Sequence, residues 1–158
     1  MSVVAVGREP ESTSGHRDGR GIPSATLLMS LMIDEIFATA SQDQAHGFFR
    51  AIGRRLSTLS PVVDREDIGV LAQVMNRLWT EIGWGHVTLQ LKVDGIDIAH
   101  SGYPPQLTGS DPALWQKAAA AILEGAYDSW FRSVGGGSSL RTFVLSQSSD
   151  RIELRHGL

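Results

Sequence analysis

The segment Trp79-Thr80-Glu81-Ile82-Gly83-Trp84-Gly85-His86-Val87-Thr88-Leu89 constrains the fold more than any other part of the chain. A helical apolar period runs up to Ile82, two glycines flank Trp84, and apolar/polar alternation begins at Val87. Gly83 suits a helix terminator, because glycine takes positive φ without a Cβ clash. So short a connection leaves little freedom in how the helix meets the strand. Gly83, Trp84 and Gly85 are therefore expected to form a structural junction.

Residues 7–22 are rich in Gly, Ser, Arg and Glu and carry no period, so residues 1–22 are expected as a flexible N-terminal arm and 23–158 as a single domain. Pro23 suits a first helical position. A first helix is expected to run to about Ala38, with Leu27, Leu28, Leu31, Met32 and Ile36 on its apolar side. A second is predicted over Gln42 to Leu59. Ser41 and Gln44 form a capping box, and Phe48, Phe49, Ile52, Leu56 and Leu59 form the apolar side. Gly47 and Gly53 lie inside it, each costing ~1 kcal/mol against Ala, so close approach of another backbone is the expected compensation. A third helix carries Ile68, Leu71, Ala72, Met75, Leu78, Trp79 and Ile82 at three- and four-residue spacing, with Asp64 and Asp67 near its positive end.

Val87, Leu89, Leu91 and Val93 alternate with polar residues as a strand with one buried face. Asp94-Gly95 reads as a two-residue hairpin returning through Ile96–Ala99. A fourth helix is predicted from Asp111-Pro112 to about Val134. Its wide apolar face suggests contact on more than one side, core plus subunit interface, so Trp115, Tyr127, Trp130 and Phe131 are the expected oligomer contacts. Gly135–Gly137 ends that helix, and two strands follow, about 140–147 and 151–156. The fold class is α+β: four helices packed with a small, mainly antiparallel sheet of two hairpins.

Charge and composition exclude several functions. The net charge is −3 and Lys92 and Lys117 are the only lysines, so a phosphate-neutralising face for nucleic acid is not expected. With no cysteine there is no disulfide, thiolate metal site or cysteine nucleophile. No run approaches the roughly 20 apolar residues of a membrane span, and the first residues lack a secretory pattern; a cytoplasmic location is expected. His16, His46, His86, His100 and His156 include no i, i+4 pair, and there is no phosphate loop or nucleophile elbow. Asp34-Glu35 and Glu66-Asp67 are adjacent, so their side chains diverge on a helix. Arg54-Arg55 reads as two solvated cations at a helix C-terminus. Neither a cofactor, a metal nor an enzymatic activity is expected.

Three motifs in order carry a family resemblance: Gly53-Arg54-Arg55-Leu56, then Leu78 to Leu89 with its Ile-Gly-Trp-Gly core, then Ile122-Leu123-Glu124-Gly125-Ala126-Tyr127-Asp128-Ser129-Trp130, followed by a terminal hairpin. From about Ser24 to His156 the chain resembles the bacterial cellulose synthase operon protein D family. The resemblance implies a ring-forming protomer, with dimers stacking into a hollow octamer, and a non-catalytic role in glucan export and crystalline packing. It implies partnership with the cellulose synthase complex and a proline-rich accessory protein, with glucan chains possible guests, on the cytoplasmic side, a periplasmic placement being the alternative. N-terminal segments lining the passages would make Pro23, Ser24, Leu27 and Leu28 passage residues. A second resemblance, to ligand-sensor domains related to vesicle-tethering subunits and NO-sensor-like folds, implies instead a dimer enclosing an apolar pocket.

If Trp84 holds the junction, Trp84→Ala should cost about 3–5 kcal/mol and unfold or disassemble the protein; a folded assembly with an unchanged melting temperature would refute that role.

Overall fold

Glycine inside a helix loses backbone entropy and exposes its peptide to water, yet two helices of this chain each carry one at the point where they touch. The computed structural model describes residues 21, 23–63, 67–135 and 137–158. Its elements are α1 (Ser24–Thr39), α2 (Gln42–Ser57), α3 (Ile68–Glu81), β1 (His86–Lys92), β2 (Gly95–Ser101), α4 (Pro112–Ser133), β3 (Arg141–Gln147) and β4 (Arg151–Gly157). The expected arm, apart from Gly21, and Asp64 and Glu66 lie outside the described residues.

The α2–α4 contact organises the helices. A Cβ on Gly53 would stand 1.9 Å from the Ile122 carbonyl oxygen, and one on Gly125 would stand 2.1 Å from that of Arg50. The backbones therefore approach without side chains between them, as expected for Gly53. Gly47 faces open space and has no such compensation. Ala45, Phe49, Gly53 and Ser57 form the buried i, i+4 row of α2, and Ser57 Oγ donates to Ser129 Oγ across the contact at 2.8 Å. Phe48, Ile52 and Leu59, expected on that apolar side, are exposed. The capping box of Ser41 and Gln44 is formed, and Asp67 and Asp111 cap α3 and α4 through the amides of Gly69 and Ala113.

The two hairpins merge into one sheet of order β1-β2-β4-β3 with every pair antiparallel. Lys92 pairs with Gly95, so the first turn is Val93-Asp94, one residue earlier than the Asp94-Gly95 signal predicts. The reason is packing: a Cβ at Gly95 would lie 2.4 Å from the His156 carbonyl oxygen, so glycine is needed as the first residue of β2. The face carrying Val87, Ile98, His100, Thr142, Ile152, Leu154 and His156 is buried against the helices. The other face is laced with ion pairs, including Arg155 with Asp97 and Arg151 with Glu153. Both sheet edges are modified. Asn76 on α3 donates to the Val87 carbonyl and accepts from its amide on the free side of β1, and β3 carries an irregularity between Val144 and Ser146.

The burial of α1 reverses the expectation. Its inward residues are Ser30, Ile33 and, partly, Ile36 and Phe37, the last stacked on Phe49 at 5.4 Å. Leu27, Leu28, Leu31 and Met32, expected along its apolar side, are exposed. Ser30 tolerates burial because its hydroxyl sits within bonding distance of the Thr26 and Thr108 carbonyls, at 2.9 and 2.8 Å. Ser110 Oγ donates to Asp34 on the same side.

Overpacking a close helix contact costs about 1–3 kcal/mol, so Gly53→Ala should lower the unfolding free energy read from urea titration by that amount. Gly47→Ala, whose new methyl meets nothing, should raise stability by up to ~1 kcal/mol.

Candidate functional site

The junction is built as its sequence implies. Gly83 and Gly85 have φ of +70° and +78°, and a Cβ at Gly85 would lie 2.0 Å from the Ser101 carbonyl oxygen. The Trp84 amide donates to the Trp79 carbonyl at 2.8 Å. Its ring, half-buried, stacks on Trp79 at 6.2 Å and meets Trp115 edge-on at 5.7 Å. Because part of the indole stays exposed, the loss on Trp84→Ala falls at the low end of the range given above.

Beneath the junction lies a buried histidine that the sequence did not single out. His100 is fully buried; its Nε2–H donates to the Trp84 carbonyl at 2.7 Å, and the Tyr127 hydroxyl donates to its Nδ1. Burial drives the Tyr127 pKa well above its ordinary value, so the phenol keeps its proton. Burial, opposed by the Trp84 carbonyl and aided by nearby His86, lowers His100 to about 4. Trp79 packs edge-on against His100 at 5.1 Å and against Trp130 at 5.5 Å. The interior that a ligand-sensor reading needs hollow is filled here by indole, phenol and imidazole rings.

Trp115, Tyr127, Trp130 and Phe131, expected at subunit contacts, are 2% exposed or less within a single chain. The wide apolar face of α4 is covered largely by its own chain, with α2 on one side and the sheet on another. Trp115 and Trp130 further anchor loops through Nε1, to the carbonyls of Pro104 (2.7 Å) and Ser60 (2.9 Å). Pro23, Ser24, Leu27 and Leu28, the expected passage residues, are all exposed at the start of α1.

A dense polar cluster lies between α2, α4 and β3. Glu124 and Asp128 occupy successive turns of α4 and stay largely buried. Glu124 Oε2 is 3.0 Å from His46 Nε2, and its Oε1 is 3.4 Å from Arg50 Nε. Asp128 accepts from Arg132 Nε at 2.7 Å and from the Thr142 amide at 3.0 Å, with Arg50 3.7 Å away. Burial pushes the Asp128 pKa up, but the bonds from Arg132 and Thr142 and the two guanidinium charges outweigh it and hold the carboxyl below its ordinary range. Glycoside hydrolysis needs one carboxyl held protonated as an acid; Asp128 is driven the opposite way, and Glu124 is engaged by His46 and Arg50. The cluster ties α2 and the start of β3 to α4. Among the described residues no group of three or more His, Asp or Glu side chains could hold a metal ion, and no helix is long and apolar enough to cross a membrane.

Fold and site together define a small α+β protein with an ion cluster between α2 and α4 and an exposed apolar face on α1. The chain belongs to the cellulose synthase D-subunit family, whose pattern matches residues 20–157. It is 27% identical to cellulose synthase operon protein D of Komagataeibacter xylinus over 135 residues, 84% of this chain and 83% of that one. Membership assigns the chain to cellulose biosynthesis as an accessory subunit rather than the catalytic one.

Above pH 6.5 the neutral His100 contributes its full stability. Between 6.5 and about 4 the unfolded chain binds a proton that the folded one refuses, so stability falls as pH falls, by about 3 kcal/mol over that window from this group. His156, also lowered by burial, steepens the same slope. Urea midpoints at pH 7 and pH 4.5 should show the loss, and the His100 ring protons should stay untitrated through pH 5.5.

Proposed function

We propose that this chain is a non-catalytic, ring-forming accessory subunit that organises glucan export and crystalline assembly, or scaffolds the synthase complex, through a homo-octamer assembled from dimers. Its partners are copies of itself, the cellulose synthase complex, a proline-rich accessory protein and, inside the ring, glucan chains. It works on the cytoplasmic side, beside the membrane-bound synthase.

The observation that carries this reading is the outer face of α1. Leu28, Leu31 and Met32 are 60%, 54% and 60% exposed, flanked by Leu27 and Met29. Single exposed apolar residues are ordinary, whereas a contiguous apolar patch marks an association surface. The i, i+3, i+4 spacing of Leu28, Leu31 and Met32 gives a stripe that fits a neighbouring helix. Proline, serine and two leucines at the beginning of this helix then lie where neighbouring subunits would frame an opening. Support for the biological setting comes from the family match and from the relative's name.

Light scattering coupled to size exclusion tests the proposal. The expected mass is roughly eight times the protomer's 17.1 kDa, and Leu31→Asp should reduce it to smaller species while far-ultraviolet circular dichroism stays unchanged. A natural chain that runs as a monomer would overturn the ring. Cellulose pellicle yield in a deletion strain complemented with the natural or Leu31→Asp chain then connects assembly to export.

A further inference from the structure

A cleft of about 630 Å³ opens at the end of the sheet where α4 stops. Leu91, Val93 and Ile96 of the first hairpin line one side, Phe131 and Val134 at the end of α4 line the other, and His156 of β4 contributes to its wall. Leu91 is 69% exposed and Val93 fully so, although both continue the alternation that buries Val87 at the start of β1. These walls are apolar and unanswered toward the outside.

His156 supplies the second observation. It is 2% exposed, its ring stacks on Phe131 at 4.8 Å, and its Nδ1 lies 2.9 Å from Thr142 Oγ1. Thr142 is buried, and among the described residues its hydroxyl has no other partner. If Nδ1 carried the ring hydrogen, the threonine hydrogen would be left without an acceptor. The hydroxyl therefore donates to Nδ1, and the hydrogen sits on Nε2. That Nε2–H has no partner among the described residues. A buried donor left unpaired loses its hydration without replacement, and an acceptor reaching it through the cleft restores the missing bond.

We infer that this cleft binds a small amphipathic molecule whose single acceptor oxygen takes the hydrogen of His156 Nε2 and whose apolar body lies along Leu91, Val93, Ile96 and Val134. The acceptor points inward because the donor is at the buried end, and the apolar body points outward because the exposed apolar side chains are at the mouth. This site is remote from the outer face of α1, so its occupancy and the self-assembly proposed above are tested separately.

The test titrates the full chain with 1-hexanol and, separately, with hexanoate, following the methyl resonances of Leu91, Val93 and Ile96 together with calorimetry. Saturable shifts at these methyls are expected, with His156→Phe weakening hexanol binding at least tenfold while keeping the stack on Phe131. Val134→Trp, which fills the cleft, should abolish binding without lowering the melting temperature. Tighter binding of hexanoate identifies an anionic ligand class; equal or weaker binding identifies a neutral one. Absence of saturable shifts with both molecules overturns the inference, as does His156→Phe binding as well as the natural chain. If His156→Phe melts without cooperativity, Val134→Trp decides, and undiminished binding there overturns it.

Discussion

The rest of the structure depends on the backbone contact of α2 with α4. Gly53 and Gly125 remove the side chains that would hold the helices apart, and only at that separation can Arg50 of α2 reach both Glu124 and Asp128 of α4. The ion cluster in turn catches the amide of Thr142 and so registers the second hairpin on the helices. The entropic loss at two helical glycines is thus offset by burial along the whole contact and by charged bonds that a wider spacing would break. Breaking one partner of such a buried set leaves an uncompensated charge, which is more damaging than never having had the pair.

Much of this was legible in the chain. Helix boundaries, the capping box, the positive φ of Gly83 and the antiparallel strands follow from local rules, because those residues act through their own backbone or their nearest neighbours. The failures share a physical origin. In α1 both faces hold large apolar residues, and the buried side is marked by Ser30, a polar residue that finds its acceptors on a loop far away in sequence. Periodicity cannot weigh a tertiary hydrogen bond. In α4 the width of the apolar stripe does reflect contact on several sides, but the sides belong to the same chain. Gly125 was visible only as a letter in a motif, and the groups that fix its value, the carbonyl of Arg50 above all, lie on another helix. His100 likewise had no local sign of burial; alternation with Ile96 and Ile98 on β2 was the available signal, and a polar side chain in an inward position is what it indicates.

The division of labour between the two layers is also clear. Charged and polar groups of the sheet's outer face are paired across strands, while the aromatic rings are concentrated under the helices around Trp79. His100, Trp115 and Trp130 each bond a backbone carbonyl, of Trp84, Pro104 and Ser60, which favours one packing over many.

Asn76 gives this chain a restraint of a different kind. By occupying the amide and carbonyl of Val87 on the open side of β1, its side chain imitates the strand that would otherwise dock there, and the irregularity in β3 spoils the opposite border. Unpaired strand borders are templates for edge-to-edge association between any copies that meet. Blunting both borders of the sheet works against open-ended stacking of sheets.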